Sequence, residues 1–312
     1  MLADILLLLS GLALIVFGAD YLVEGASFVA RRSGVSEFVI GLTIVGMGTS
    51  APEFVVSLIG AVNGSASIAI GNVMGSNIFN TLLILGVTAF ILPITITKNN
   101  LRRDLPVNIA VTLLFILLGM WGGLSRFDGL IMLLCFALYI WSCFRFDDKS
   151  GGEGSDSKSS RLGVNILFIL GGLAGLVFGG RMFVNSATAL AQLMGASEKF
   201  IAVTILAGGT SLPELATCIV AAVKKRGALA LGNIIGSNIF NILLILGSSS
   251  VILPLSFDSV NLVDVGVLVT SALLLVLAAL TGRNGKVDRM DSVLMLGVWA
   301  GYMAWLIYNI AE

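Results

Sequence analysis

The sequence predicts an all-α polytopic membrane protein in which ten transmembrane helices form two inverted five-helix repeats. Three observations lead to this prediction. The 312 residues have a mean hydropathy of +1.03, with 57% hydrophobic and only 12% charged residues, a composition foreign to water-soluble domains. Ten apolar stretches are each long enough to cross a bilayer core, which needs about 20 residues per helix. The second five stretches repeat motifs of the first five.

The ten stretches follow one another with short connections. They cover residues 2–28, 36–62, 67–94, 105–122, 126–145, 162–190, 198–223, 228–254, 262–281 and 288–310. The first contains Asp4 where a signal peptide would carry basic residues, so we expect a retained helix. The one real linker is 146–160, because its glycine, serine and charged residues cannot bury enough apolar surface to order themselves. It divides the chain into a first repeat, 1–145, and a second repeat, 161–312.

Composition excludes several classes of function. The 18 basic and 18 acidic side chains give no net charge, so there is no electrostatic footprint for nucleic acid. The absence of histidine removes His-ligated metal sites and His-assisted nucleophiles. Cys135, Cys143 and Cys218 lie in or beside apolar stretches and form no metal-ligand or disulfide pattern. We expect no enzyme activity, no cofactor and no nucleic-acid partner.

The basic residues predict the orientation of the chain in the membrane. The side that holds the loops after helices 1, 3, 5, 7 and 9 carries most of them, whereas the opposite side has only Arg126 and Lys199. Lysine and arginine accumulate on the cytoplasmic side of short loops. The linker is therefore predicted to be cytoplasmic and both termini outside, in a cell membrane. The residues on the rich side are Arg31, Arg32, Lys98, Arg102, Arg103, Arg145, Lys149, Lys158, Arg161, Lys224, Lys225, Arg226, Arg283, Lys286 and Arg289.

Two motifs return at a constant offset of 161 residues. GLTIVGMGTSAPEF, from Gly41, returns as AVTILAGGTSLPEL, from Ala202, and GNVMGSNIFNTLLILG, from Gly71, returns as GNIIGSNIFNILLILG, from Gly232. Each half has an odd number of spans, so the second copy must lie upside down relative to the first. Inverted repeats that are broken by glycine and proline at matching positions indicate a secondary transporter with a binding site at the membrane midplane.

Glu53 and Glu214 are the candidate centre of that site. Each lies near the middle of an apolar stretch, where an ionisable group is costly and should face the protein interior. The alternative to ion binding is a purely structural role, in which each glutamate hydrogen-bonds neighbouring hydroxyl groups. Each glutamate follows Gly-Thr-Ser-x-Pro, and the proline should free a backbone carbonyl one turn earlier. Thr49 and Glu53 are four residues apart, as are Thr210 and Glu214, so we expect each pair on one helix face.

The next helix of each half adds polar residues at spacing i, i+4, i+8, which places them on one face. They are Asn72, Ser76 and Asn80, and in the second copy Asn233, Ser237 and Asn241. We expect the inner four residues to be ligands, while interhelical hydrogen bonding stays open for Asn72 and Asn233. Every candidate ligand atom is an oxygen, the type of ligand that Ca²⁺ and Na⁺ prefer. The two negative charges of the glutamates balance the charge of one Ca²⁺. Two protons or several Na⁺ ions would also neutralise them.

These motifs, G-T-S-x-P-E and G-N-x-x-G-S-N-I-F-N, each present twice, resemble the α-repeats of the sodium/calcium exchanger family of the cation/Ca²⁺ antiporter superfamily, in its bacterial or archaeal form. The resemblance implies cation sites between helices 2, 3, 7 and 8, and alternating access by sliding of helices 1 and 6. It implies Glu53 and Glu214 as the central Ca²⁺ ligands. Asn80 and Asn241 stand where many such exchangers have an aspartate, which leaves ion stoichiometry open. The full candidate ligand set is Glu53, Glu214, Thr49, Ser50, Thr210, Ser211, Ser76, Ser237, Asn80 and Asn241.

The sequence therefore predicts a secondary active antiporter that exports Ca²⁺ in exchange for Na⁺ influx, with Ca²⁺/H⁺ exchange as the alternative. An ion channel could use the same oxygens, but the inverted repeat favours alternating access. The expected partners are Ca²⁺, Na⁺ and the lipid bilayer, and we expect a monomer. Asp20 and Arg181 occupy equivalent repeat positions. Inversion places them toward opposite sides of the membrane, so we expect no contact between them, and Arg181 should snorkel or pair with an acid on the outer side.

Overall fold

The computed structural model describes residues 2–120, 122–147, 162–194, 207–257, 260–282 and 285–311. These residues are almost entirely helical. In chain order the helices are α1 Leu2–Ser33, α2 with two arms Glu37–Thr49 and Ala51–Val62, α3 Ala66–Ile91, α4 Asn100–Met120, α5 Arg126–Arg145, α6 Leu162–Leu193, α7 with the pieces Ala207–Gly209 and Leu212–Val223, α8 Gly227–Ile252, α9 Leu262–Thr281 and α10 Arg289–Ala311. Two short strands, β1 Ile94–Thr95 and β2 Lys286–Val287, pair antiparallel.

The described helices confirm the predicted polytopic membrane fold. Eight of them are long and apolar enough to cross a membrane, and the two arms of α2 together make a ninth span. The predicted span 198–223 is described only from Ala207 onward. Its first residues and linker residues 148–160 lie outside the described residues. Some basic residues used to predict the orientation also lie outside them, namely Lys149, Lys158, Arg161, Lys199 and Arg283.

The loops after α1, α3, α5, α7 and α9 meet on one face of the bundle, which we call the linker face. Ser36, which caps α2, donates its N–H and its hydroxyl to the Asp147 carboxylate after α5, at 2.7 and 2.6 Å. Arg226, after α7, pairs with Glu37 at 2.6 Å. The β1–β2 pair joins the loop after α3 to the loop after α9. Asp147 belongs to the predicted linker 146–160, yet its carboxylate holds the start of α2.

The opposite face, which we call the terminal face, joins the two halves by a backbone bridge. Leu124 and Leu255, which follow α4 and α8, exchange N–H···O bonds of 2.9 Å. Because α1 ends at the linker face and α6 begins after the linker, the corresponding helices of the two halves run in opposite directions. The arrangement is the predicted inverted repeat.

Several helix irregularities lie around the predicted site, and further π-helical turns occupy Gly41–Val45 in α2 and Asn100–Asp104 in α4. The arms of α2 bend by 49° at Ser50, two residues before Pro52. Single π-helical turns occupy Phe79–Ile84 in α3 and Asn241–Leu246 in α8. Such π-turns inside α-helices are frequent at functional sites, because they re-aim side chains and loosen the backbone hydrogen bonds. Asn80 and Asn241 lie within these turns.

α1 and α6 pack as a close antiparallel pair along a seam of glycines. A Cβ atom added at Gly18 would lie 2.8 Å from the Gly172 carbonyl oxygen, and one at Gly11 would lie 2.9 Å from the Gly179 carbonyl oxygen. Only a residue without a side chain allows backbones to approach so closely. The two helices are thereby joined over much of their length.

The Gly18→Leu variant should therefore be strongly destabilised, because any side chain pushes α1 away from α6. We expect a loss of about 1–3 kcal/mol, as for other overpacked sites. Thermal melting of the purified protein in detergent measures the change. Gly171→Leu is the matched control, since a Cβ atom there meets nothing within 4 Å. Equal melting temperatures for the two variants would contradict the importance of the seam.

Candidate functional site

The two predicted glutamates each lie at the start of the second piece of a broken helix. Glu53 is in the first turn of Ala51–Val62, and Glu214 is in the first turn of Leu212–Val223. Proline is tolerated there because the first N–H groups of a helix have no helical partner. The partial positive charge of a helix start favours a carboxylate. Both side chains are buried, with 0% and 1% exposed, so the breaks hold two carboxylates inside the bundle.

Serine hydroxyl groups connect the two carboxylates across the repeats. Ser50 Oγ donates to Glu214 Oε1 at 2.8 Å, and Ser211 Oγ donates to Glu53 Oε1 at 3.1 Å. Each glutamate is therefore oriented by the broken segment of the other half. The two bonds are equivalent under the 161-residue repeat, so the site has approximate twofold symmetry.

The two threonines also face the opposite repeat. Thr49 lies close to Glu214, and Thr210 lies close to Glu53. The single hydroxyl proton of Thr49 can be donated to the Val45 carbonyl oxygen, at 3.0 Å, or to Asn233 Oδ1 of the other repeat, at 3.2 Å. The sequence predicted that Thr49 and Glu53 lie on one face of a continuous helix. In the structure α2 breaks between these two residues, so they belong to different arms. The hydroxyl groups converge on the site from the other half.

Eight buried side-chain oxygens have no hydrogen-bond partner within the described part of the chain, and four of them, two from each repeat, belong to candidate ligands: Oε2 of Glu53, Oε2 of Glu214, Oδ1 of Asn80 and Oδ1 of Asn241. The other four, outside the candidate ligand set, are Ser27 Oγ, Asn108 Oδ1, Thr188 Oγ1 and Ser249 Oγ. The two carboxylates also lie close enough to repel each other. An unpaired buried polar atom costs about 1–3 kcal/mol, and a charged one more. A hard cation among these oxygens would relieve both costs, since carboxylate and amide oxygens are the ligands such ions prefer. The residues present fit a cation.

Asn77 and Asn238, which were not among the predicted site residues, hold the two candidate ligand amides across the repeats. Asn80 Nδ2 donates to Asn238 Oδ1 at 3.2 Å, and Asn241 Nδ2 donates to Asn77 Oδ1 at 3.0 Å. Asn77 Nδ2 donates to the Asn238 carbonyl at 3.1 Å, and Asn238 Nδ2 donates to Thr81 Oγ1 at 2.9 Å. With both amide nitrogens engaged, the oxygens of Asn80 and Asn241 are left for a ligand. Their recurrence in the duplicated G-S-N-I-F-N motif was the available signal.

Asn72 and Asn233 make interhelical hydrogen bonds, which is the alternative that the sequence left open. Asn72 Nδ2 donates to Ser57 Oγ of α2 at 2.9 Å. Asn233 Nδ2 donates to Cys218 Sγ of α7 at 3.2 Å. These bonds join α3 to α2 and α8 to α7. Both asparagines thus link the helices that carry the site.

The flanking serines, Ser76 and Ser237, are both buried. Ser237 Oγ lies 3.4 Å from the Gly46 carbonyl oxygen and 3.4 Å from Asn233 Oδ1, both long contacts. Ser237 therefore faces the first arm of α2, where backbone and amide oxygens lie within reach of a small ion. A role as an ion ligand stays a prediction for both serines.

A cavity of about 340 Å³ leads from the terminal half of the bundle toward the site. Val56 of α2, Asn72 of α3, Arg181 and Asn185 of α6 and Thr210 of α7 are among its lining residues. Arg181 thus faces a cavity whose walls are mainly apolar. Asp20, its repeat equivalent, is engaged elsewhere with Lys224, so the two do not pair, as expected.

The donor atoms of the candidate site are of the kind that hard cations prefer. Within the described residues, no group of three or more His, Cys, Asp or Glu side chains forms a possible metal cluster. The charge of the site comes from two carboxylates, and neutral hydroxyl and amide oxygens supply the remaining ligands. Such a site suits reversible binding of a hard ion better than tight retention of a transition metal.

Comparison with known proteins agrees with this geometry. The family model described as "Sodium/calcium exchanger protein" matches residues 3–145 and 164–308. The inner membrane protein YrbG of Escherichia coli is 36% identical, over 96% of this chain and 96% of its own length. The sodium/calcium exchanger MaX1 of Methanosarcina acetivorans is 32% identical, over 98% and 99%.

A solved structure has the same fold. The sodium-calcium exchanger NCX_Mj, soaked with 2.5 mM Na⁺ and 0.1 mM Ca²⁺, superimposes with a TM-score of 0.84 at 32% identity, over 100% of this chain and 99% of that one. The protein is thus a multi-pass membrane transporter and not an enzyme. With a matching family model in both halves, relatives of equal length and a shared fold, the chain belongs to the sodium/calcium exchanger family of cation exchangers.

Proposed function

We propose that this cation exchanger moves Ca²⁺ against Na⁺, exporting Ca²⁺ from the cytoplasm while Na⁺ enters. The observation that carries the proposal is the set of four unpaired buried oxygens on Glu53, Glu214, Asn80 and Asn241. Two carboxylates balance the charge of one Ca²⁺, and the neutral oxygens complete a shell that Ca²⁺ accepts. The names of MaX1 and NCX_Mj, and the Na⁺ and Ca²⁺ soaked into NCX_Mj, support the same ions.

Glu53 and Glu214 would bind Ca²⁺ between them in one half of the cycle. In the other half, Na⁺ ions would occupy the carboxylates and the adjoining oxygens of Thr49, Thr210 and Ser76 or their repeat equivalents. Because both ions need the same two charges, they exclude one another. Exclusive occupancy of one site that faces each side in turn makes transport an exchange.

The linker face is proposed to be cytoplasmic. Described basic residues on that face include Arg31, Arg103, Arg145 and Arg226, in agreement with the charge bias of the sequence. The cavity at the terminal face then opens to the outside. The name of YrbG supports a bacterial inner membrane as the location. We propose that a single chain contains the complete pathway, because both halves of the site come from one chain.

Ca²⁺/H⁺ exchange is the second candidate, and one observation favours it. Asn80 and Asn241 are neutral, so the described site holds two carboxylates and no third. Two protons would neutralise these carboxylates without further ligands. Protons and Na⁺ therefore compete as the ion that replaces Ca²⁺.

Uptake of ⁴⁵Ca²⁺ into proteoliposomes separates the two candidates. Vesicles loaded with Na⁺ and diluted into Na⁺-free buffer should take up Ca²⁺ at least tenfold faster than vesicles without an ion gradient. Vesicles with only a pH gradient are the parallel sample. Uptake that follows the pH gradient alone would replace Na⁺ by H⁺, and uptake under neither gradient would contradict Ca²⁺ transport.

A further inference from the structure

Residues of α2 and α3 line the open cavity toward the terminal face, whereas their repeat equivalents in α7 and α8 are buried. Val56 lines the terminal cavity and is 37% exposed, whereas its repeat equivalent, Thr217, is 1% exposed. Asn72 also lines that cavity, whereas its equivalent, Asn233, is fully buried. The inverted repeat would allow the same opening on either face. α7 and α8 therefore close the linker-face pathway next to the site in this conformation.

The α1–α6 pair forms one wall of both pathways. Arg181 and Asn185 of α6 line the open cavity. On the linker side the equivalent positions of α1 are Asp20 and Glu24, which are partly exposed. Glu24 and Lys224 line a separate cavity of about 320 Å³ there, and none of its lining residues belongs to the candidate ligand set. Because the glycine seam joins α1 to α6, the proposed alternating access would move the two helices as one unit, opening one side while the other closes. A contact between this helix pair and the rest of the bundle would shift the equilibrium between the conformation open to the terminal face and the one open to the linker face.

Lys224 makes such a contact at the linker face. It follows the last residue of α7, and its ammonium group reaches α1, where Nζ lies 2.8 Å from Asp20 Oδ1 and 3.7 Å from Glu24 Oε2. The neighbouring Arg226 binds Glu37 of α2 at 2.6 Å. The turn after α7 is thus bound to α2 through Arg226 and to α1 through Lys224.

At the terminal face, the residues at the equivalent positions cannot form this ion pair. The repeat equivalent of Lys224 is Asn63, and the equivalents of Asp20 and Glu24 are Arg181 and Asn185. A neutral amide facing an arginine and a second amide cannot form an ion pair. Arg226 has no charged equivalent there either, because its repeat position is Ser65. The linker face is therefore held by ion pairs that the terminal face lacks, and the Lys224 contact is the one that reaches α1.

We propose that Lys224 is a latch that holds α1 against α7 and so favours the conformation open to the terminal face. The latch rests on the proposed alternating access of the site. It lowers the population open to the linker face, and so weakens the apparent affinity for cations arriving from that face, since apparent affinity scales with the fraction of competent protein. The pair is partly exposed, with 32% of Lys224 and 45% of Asp20 accessible. Pairs of this kind shift an equilibrium by up to about fivefold.

Transport from each face tests the latch. In vesicles of defined orientation, Lys224→Gln should lower the half-saturating Ca²⁺ concentration at the linker face by about two- to fivefold and change the terminal-face value less. Asp20→Asn should act in the same direction, and the double variant should add little. Lys225→Asn is the matched control, because it removes the next positive charge at an exposed position with φ of 60°, which asparagine tolerates. Equal factors at both faces, or no difference from the control, would overturn the latch.

Thiol labelling in detergent tests the latch without any transported ion. Thr217→Cys reports the linker-face pathway and Val56→Cys the terminal one, in a chain whose three native cysteines are replaced by serine. Adding Lys224→Gln should speed labelling at position 217 and slow it at position 56, both relative to Lys225→Asn. Labelling that changes in this way without Ca²⁺ uptake would retain the latch and reject the proposed ions. Unchanged labelling in a protein that transports Ca²⁺ would reject the latch alone.

Discussion

Replacing Glu53 or Glu214 by glutamine should abolish ion exchange while leaving the protein folded. Glutamine has the same shape and can still accept the serine hydroxyl that now binds Oε1 of each glutamate. It removes one of the two negative charges that face the ion. Loss of one partner from a buried charge pair costs about 3–5 kcal/mol, which corresponds to about two to four orders of magnitude in cation affinity. The initial rate of ⁴⁵Ca²⁺ uptake into proteoliposomes measures the effect for both coupling candidates.

Two further measurements separate loss of the site from loss of the fold. The empty site holds two carboxylates that repel each other, so either glutamine variant should melt at or above the temperature of the unmodified protein. Glu37→Gln is the control, since it removes a carboxylate from the same helix at the linker face, where Glu37 pairs with Arg226. Transport should persist in this control. Undiminished uptake by both Glu53→Gln and Glu214→Gln would refute the assignment of the site.

The helices were predictable because their placement depends on apolar length alone. The predicted stretches 126–145 and 262–281 coincide with α5 and α9. α1 continues to Ser33 and α6 to Leu193, beyond the predicted ends at 28 and 190. Each has 32 residues and spans about 48 Å at 1.5 Å per residue, more than the roughly 30 Å of a bilayer core. Apolar length predicts the membrane-spanning part of a helix, but not how far the helix extends beyond it.

The break of α2 was predictable from proline, but the partners at the break were not. Spacing along a sequence relates residues of one helix, such as Thr49 and Glu53. In the structure, Ser50 binds Glu214 and Ser211 binds Glu53, contacts between residues 164 and 158 positions apart. Such pairs depend on how two inverted halves interlock, and a repeat shows only that the halves are equivalent. The π-turns are likewise a result of packing, and they carry no evident signal in the sequence.

Replacing Asn77 or Asn238 by leucine should weaken cation binding although neither residue offers an unpaired oxygen to the ion. Each accepts a hydrogen bond from the amide nitrogen of a candidate ligand, Asn241 or Asn80. Without that partner, the freed amide can rotate and present its N–H groups to the cation in place of its oxygen. Residues that orient metal ligands typically change affinity by about 10- to 100-fold. Isothermal titration of the purified protein with Ca²⁺, and then with Na⁺, measures the loss.

A purely structural role would produce a different pattern, and Asn108→Leu identifies it. Asn108 is an equally buried asparagine of α4, at 3% exposed, and it lies outside the predicted site. Its replacement should alter thermal stability without changing cation affinity. The Asn77→Leu and Asn238→Leu variants should instead lose more cation affinity than their loss of thermal stability explains. The two losses should be similar, because each asparagine orients one ligand of a twofold site. If all three variants lose stability alike and retain affinity, the crossed amides are structural contacts, and the ion is bound by groups that need no orientation from them.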